Sequence, residues 1–227
     1  NNDVNLSQST NDAYPTALRV ALYEKLGELT GSMSIIKNSF AKKAAEFKDI
    51  IKMGRTQLQD AVPMTLEQEF RTYAVMIGED IQRVTEAQQL VREMNLGATA
   101  IGTGINAHPD YAKTVEAKLQ EVTGRPFVTA GDLVEATQDT GAYVQISGVL
   151  KRVATKMSKI CNDLRLLSSG PRTGFGEINL PAMQPGSSIM PGKVNPVIPE
   201  VVNQVCFQVI GTDVAVTMAC EGGQLQL

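Results

Sequence analysis

The sequence has no tryptophan and a single histidine, His108, among its 227 residues. One imidazole leaves a structural zinc site almost without ligands and nearly excludes a Ser-His-Asp triad. Set in Asn106-Ala107-His108-Pro109, His108 reads as an exposed turn residue without a role. Cysteine is scarce too. Cys161, Cys206 and Cys220 are odd in number, widely spaced and without a CxxC pair. They read as reduced thiols of a cytoplasmic protein, not as a disulfide framework, with Cys161 and Cys206 as core filler in helical patterns. Excess charge of one sign is missing as well: 21 basic and 24 acidic residues give a net charge of -3. That balance argues against nucleic acid, which needs clustered Lys and Arg. No apolar run approaches the roughly 18 residues of a membrane span. Internal repeats, low-complexity tracts and a linker between two domains are likewise absent. With 43% hydrophobic and 20% charged residues, the chain is globular and long enough to bury a large core.

What the chain has in quantity is apolar residues at helical spacing. One stripe runs through Leu18, Leu22, Leu26, Leu29, Met33, Ile36, Phe40, Ala44 and Phe47 in steps of three and four. Pro15 stands at its start, where a missing N–H costs least. A second stripe passes Leu66, Phe70, Tyr73, Ile77, Ile81, Val84 and Val91. A third covers about Leu133 to Leu167, through Thr137, Val144, Met157, Ile160 and Leu164, and a fourth begins near Pro196 and passes Ile198, Val202, Val205 and Val209. Helices of about 30 residues are about 45 Å long, well above the globular norm, and cannot bury their stripes alone. The expected fold is mainly α: a long-helix bundle, one helical domain over residues 1–227, associating with other subunits. The opening Asn1-Asn2-Asp3 and the closing Gln224-Leu225-Gln226-Leu227 read as the interior of a longer protein, truncated at both ends.

Between the stripes lie segments rich in Gly, Pro and Thr: 49–63, 95–110 and 168–196. The last is long for a structureless loop in a helical protein, and such loops are usually functional. Three polar clusters stand out. Ser7-Gln8-Ser9-Thr10-Asn11-Asp12 precedes the first stripe and reads as a helix N-cap, a place equally suited to an anion. Gly54-Arg55-Thr56-Gln57-Leu58-Gln59-Asp60 reads as a polar turn, in which Arg55 clamps a carboxylate or pairs with Asp60. Gly186-Ser187-Ser188-Ile189-Met190-Pro191-Gly192-Lys193-Val194-Asn195-Pro196 gathers paired hydroxyls, glycines, a lysine and an asparagine. The P-loop pattern fails there because Val194 follows Lys193, which disfavours nucleotide binding. A flexible linker capped by Asn195 has no use for Lys193, and a mobile lid bearing a serine fits better.

In these three clusters together the chain resembles the aspartase/fumarase superfamily of lyases. The 186–196 stretch is similar to that superfamily's signature, and the resemblance runs over the whole chain while leaving out the family's N-terminal and C-terminal domains. Gln57 stands where the hydratase branch typically carries histidine. With Met94-Asn95-Leu96-Gly97-Ala98-Thr99-Ala100 and Val197-Ile198-Pro199-Glu200-Val201-Val202-Asn203-Gln204, it places the chain nearer the ammonia-lyase branch. Glu67 departs from the family, where Gly is common, and as a better helix former it is harmless. The resemblance implies reversible deamination of L-aspartate to fumarate and ammonia through an aci-carboxylate, without an organic cofactor and with room for divalent-metal activation. By resemblance Ser187 is the general base; Ser9, Thr10 and Ser188 stabilise the aci-carboxylate; Lys193, Asn195 and Thr56 clamp the other carboxylate; Asn11 meets the amino group; and Gln57 lies in the same pocket. It also implies a homotetramer whose active sites are shared between subunits. Fumarate hydration is the nearest alternative. Argininosuccinate and adenylosuccinate lyases share the Gly-Ser-Ser loop, but typically place a histidine in the second cluster. A non-catalytic helical assembly protein, like the lens crystallins of this superfamily, is the alternative from another class.

Overall fold

A computed structural model describes residues 2–227. Among them are six helices and four short strands, in the order α1 (Thr10–Glu46), β1 (Ile51–Thr56), β2 (Gln59–Thr65), α2 (Leu66–Leu90), β3 (Glu93–Met94), α3 (Tyr111–Thr123), β4 (Val128–Thr129), α4 (Leu133–Gln138), α5 (Gly141–Leu167) and α6 (Val197–Glu221). The fold is mainly α, with long helices, as the stripes require. It divides into two compact units, the first built from Asn1–Gly31, Gln82–Val149 and Val214–Leu227, the second from Ser32–Ile81 and Leu150–Asp213. Each of α1, α2, α5 and α6 contributes one part to each unit.

In the first unit, β3 and β4 pair in parallel, Glu93 opposite Val128 and Met94 opposite Thr129. That pairing sets fully buried Met94 and Phe127, with Leu96, against Ala13, Val20 and Tyr23 of α1 and against Val115 and Leu119 of α3. Tyr23 meets Phe127 edge-on at 5.5 Å, a favoured aromatic geometry. The cluster fastens the start of α1 beside the loop that follows β3. Arg19, also buried, donates to the Leu90 carbonyl at 3.2 Å.

The core of the second unit is aromatic. Phe40 of α1 and Phe47, just past its end, pack on Phe70 and Tyr73 of α2 with ring centroids 4.9 to 6.1 Å apart. Burying Phe70, 6% exposed, stabilises the unit by about 2–3 kcal/mol. Asp80, 2% exposed, lies between Arg152 at 2.8 Å and Lys156 at 3.1 Å, so its buried charge is paired. Asn203 of α6 donates to Ser158 Oγ at 2.8 Å and Asn162 Oδ1 at 3.0 Å.

Three expectations need correction. The third stripe is two helices, because Asp139 is extended (φ -73°, ψ 126°) and ends α4, while its carboxylate accepts from Gly141 N and the Thr140 carbonyl accepts from Tyr143 N at 3.0 Å to start α5. The polar segment 49–63 holds most of an antiparallel hairpin rather than a simple turn. And α6 is long and apolar enough to cross a membrane by length and composition, with a mean hydropathy of 1.3 over its most apolar window. Its apolar character had been hidden by scattered Asn, Gln, Thr and Asp. Only the line Pro199, Asn203, Cys206 and Asp213 is buried, while Val205, Phe207, Val214 and Met218 are about 60% exposed or more. All three cysteines are unpaired, with Cys161 and Cys206 buried.

Candidate functional site

The first cluster forms the start of α1 in the first unit. Ser9 is the residue before the helix, and its Oγ accepts from Asn11 N at 3.2 Å, while Asp12 Oδ1 accepts from Ser9 N at 2.9 Å. This reciprocal capping satisfies two of the helix's orphan donors. Because Ser9 Oγ accepts from the backbone, its own proton stays available to an outside acceptor. Thr10 Oγ1 donates to Asn11 Oδ1 at 3.3 Å, and Asn11 Nδ2 donates to the Ala100 carbonyl at 2.8 Å. Ser9 and Asn11 are half-buried and Thr10 is exposed, so the three form one polar, reachable surface.

The second cluster is the hairpin of the second unit. Thr56 pairs with Gln59, leaving Gln57 and Leu58 as the two-residue turn, with φ of 51° and 62°. Both lie in the left-handed region that a hairpin turn of this kind demands and that Asn and Gly normally fill. Two other residues there cost about 1 kcal/mol each. Thr56 and Gln57 are held out, exposed, at the tip. Below them, β2 inserts an extra residue opposite Gly54, whose added Cβ would stand 2.9 Å from the Val62 carbonyl. Only glycine admits that bulge.

An ionic chain anchors the hairpin. Arg55 Nη1 donates to Glu177 Oε1 at 2.5 Å, with its guanidinium 4.2 Å from the Phe175 ring centroid, and Lys52, nearly buried, pairs with Glu177 Oε2 at 3.1 Å and with Glu69. Tyr73 Oη lies 3.2 Å from both Glu69 and Asp163, and Asp163 pairs with Lys159. Burial, then the two carboxylates, pushes the Tyr73 phenol above its ordinary range. Arg55 is thus a structural partner of Glu177, with Asp60 a looser contact at 3.6 Å.

The third cluster, also in the second unit, is a loop closed at its neck. Gly186 N donates to the Lys193 carbonyl at 2.7 Å, and Pro185 bridges Val194. Inside the neck an added Cβ on Gly186 would stand 2.6 Å from Asn195 Oδ1, so the missing side chain is what lets the carboxamide lie there. Ser187 Oγ accepts from Ile189 N at 3.2 Å, the geometry of a hydroxyl turn. Ser187 and Lys193 line a cavity of about 360 Å³ with Gln184 and Val194, in which Lys193 carries the only formal charge. A cavity with one cation and a serine suits an anion. Ser188 is exposed beside Ser187.

The nine sequence-derived site residues therefore fall into three groups: Ser9, Thr10 and Asn11; Thr56 and Gln57; Ser187, Ser188, Lys193 and Asn195. Leu58 and Arg55 of the hairpin line a separate cavity of about 200 Å³ with Phe175. Among the described residues no three His, Cys, Asp or Glu side chains are grouped as metal ligands. His108 is an exposed turn residue, as expected, its Nδ1 accepting from Asp110 N at 3.2 Å. Sequence reasoning passed over Glu177, although it is the lone acidic residue of 168–196. Asp12 was read only as a cap, although it stands three residues after Ser9.

The chain thus carries a helix cap offering hydroxyls, a hairpin tip with two left-handed residues, and a serine-lysine loop. The chain matches the lyase family over residues 1–211, and it belongs to that family. Over its whole length it is 70% identical to the aspartate ammonia-lyase of Helicobacter pylori, 65% to that of Pseudomonas fluorescens and 62% to that of Escherichia coli. It spans about half, 48%, of the length of each of these relatives. Among solved structures, all of the chain superposes on 49% of the cobalt-bound fumarate lyase:delta crystallin of Brucella melitensis, with a TM-score of 0.97 and 59% identity. It also superposes on the class II fumarase of Schistosoma mansoni, with a TM-score of 0.95, 35% identity, and coverage of 99% of this chain and 50% of that one.

Proposed function

We propose that this chain is the central helical domain of an aspartate ammonia-lyase, a carbon–nitrogen lyase that interconverts L-aspartate with fumarate and ammonia. The observation that carries this reading is 62–70% identity along the whole chain to enzymes of that name, with Gln57 rather than histidine at the hairpin tip as its local support.

In the proposed mechanism the ionised Ser187 hydroxyl takes a proton from the carbon beside the side-chain carboxylate. The electron pair moves into that carboxylate to give a dianionic aci form, then returns to make the double bond as ammonia leaves. A hydroxyl is a poor base unless its anion is stabilised, and Lys193 with the loop N–H groups supplies that stabilisation once water is expelled. The free proton of Ser9, with Thr10 and Ser188, meets the developing charge, where preorganised donors lower the barrier most. Lys193, Asn195 and Thr56 hold the other carboxylate, Asn11 the amino group, and Gln57 borders the same pocket. No organic cofactor is needed for this chemistry, and stimulation by a divalent metal is a separate trait to be assayed.

The same reading makes the protein a cytoplasmic homotetramer that assembles each site from three subunits. Its support is α6, where Phe207, Val214 and Met218 are exposed along one side and Val205 on the other, more apolar surface than a soluble monomer ordinarily leaves open. The test is ultraviolet detection of fumarate from the complete protein given L-aspartate and, separately, L-malate. Fumarate from aspartate alone is expected. Fumarate from malate alone would make the protein a hydratase, and fumarate from neither, with a folded tetramer, would favour the assembly role.

A further inference from the structure

We propose that Asp12 and Asn95 are positioning residues for the proposed reaction: they fix the start of α1 so that Ser9, Thr10 and Asn11 present their side chains to the aci-carboxylate. The inference rests on the reading of residues 9–11 as a substrate site, and goes beyond it by naming what aims that site.

Asp12 is fully buried, and three backbone N–H groups converge on its carboxylate: Ser9 at 2.9 Å, Gly97 at 3.2 Å and Thr99 at 2.8 Å. A helix cap needs only the first of these. The other two tie the cap to the loop after β3, where Thr99 itself sits at φ 62°. Burying a carboxylate to hold a loop is costly compared with an apolar contact, and is tolerated where geometry must be fixed.

Asn95 works on Asn11, the residue before Asp12. Its Nδ2 donates to the Asn11 carbonyl at 3.0 Å and to Thr137 Oγ1 at 3.1 Å. Thr137 has already given its proton to the Leu133 carbonyl at 2.7 Å, so it can only accept, which sets the orientation of the Asn95 amide. Asn95 Oδ1 is left buried without a partner, a cost that turning the amide over would not remove, because the oxygen would then face the Asn11 carbonyl and a hydroxyl with no proton to give. With Asn11 Nδ2 on the Ala100 carbonyl, residues 11 and 12 carry four bonds to residues 95–100. The Asn11 amide cannot flip, so its Oδ1 faces the Thr10 hydroxyl and the open side.

The experiment compares wild type, Asp12→Asn and Asn95→Ala in the complete protein. It measures kcat and KM for L-aspartate and inhibition by two small acids. Succinate resembles the ground state, whereas ionised 3-nitropropionate carries a planar nitronate that resembles the aci-carboxylate. Asp12→Asn is expected to lower kcat at least tenfold with KM and succinate inhibition within threefold, and to weaken nitronate inhibition by at least tenfold. Asn95→Ala, the milder change, is expected to act in the same direction by at least threefold. A fall in kcat with nitronate inhibition unchanged means fewer folded molecules, and overturns the positioning role. So does an equal weakening of both inhibitors. A wild type that forms no fumarate and does not prefer the nitronate would refute the site reading itself, before either variant is compared.

Discussion

The side-chain amide of Asn95 meets the Asn11 carbonyl at 3.0 Å, in the place of the helical N–H that Pro15, four residues on, cannot provide. Because α1 begins at Thr10, Pro15 lies inside the helix and not at its start as the stripe suggested, where it would ordinarily leave that carbonyl open and destabilise the helix. Here a side chain from another segment takes the position. Asn95→Ala is therefore expected to cost about 1–3 kcal/mol. In a Pro15→Ala background, where the backbone N–H returns, the cost should shrink by at least about 0.5 kcal/mol. A urea double-mutant cycle measures this, and additive losses would refute the substitution of one donor for the other.

Glu177 holds Arg55 and Lys52 together. Glu177→Gln removes the anion from between two cations, one of them nearly buried, and should cost about 2–3 kcal/mol. Adding Lys52→Met should recover part of that loss. A stability change under about 0.5 kcal/mol would show that the ionic chain contributes nothing to the hairpin.

Gly186→Ala puts a methyl group where Asn195 Oδ1 now lies, 2.6 Å from the new carbon. The loop is largely exposed, so melting should hardly change. Turnover by the complete protein should fall at least about tenfold, roughly 1.4 kcal/mol in barrier, as Asn195 is displaced. Unchanged kcat/KM would remove Asn195 from the proposed site.

Ser187→Ala should abolish fumarate formation while succinate still binds with an affinity within threefold of wild type. Calorimetry decides the second half. Near-normal turnover would take the base assignment away from Ser187.

Burial, and then the neighbouring Cys206, pushes the Cys161 thiol from its ordinary 9.0 up to about 11. The folded state then holds a proton that the unfolded chain has released, so stability should fall as pH rises from about 9 to about 11. Cys161→Ala should flatten that part of the curve. At pH 8, a maleimide should label the partly exposed Cys220 first, and mass mapping would show it.

The legible part of the fold was the part governed by period. The stripes of α1, α2 and α6 followed from spacing alone, because a rod must bury one face whatever its neighbours are. The break at Asp139 and Thr140 was not legible, since a stripe continues across a two-residue cap without losing phase. Helix α3 escaped because none of its residues is fully buried, so Val115 and Leu119 make a weak signal. Residues 51–65 escaped for the opposite reason: Gly54, Pro63 and the turn residues argue against strands until the bulge at Gly54 explains them. Of the candidate site, the exposed side chains were readable as motifs. Their supports were not, because Asn95 and Glu177 act through partners 84 and 122 residues away.

The turn at Gln57 and Leu58 has a consequence for anyone who redesigns this chain. A stability optimiser working from local rules would write Gln57→Asn and Leu58→Gly, relieve both left-handed residues, and raise the melting temperature. It would also delete the side chain on which the choice between ammonia and water is proposed to rest. On that proposal the hairpin tip is a place where a better-folding sequence would be a less capable one, and a score based on folding alone would rank the two in the wrong order.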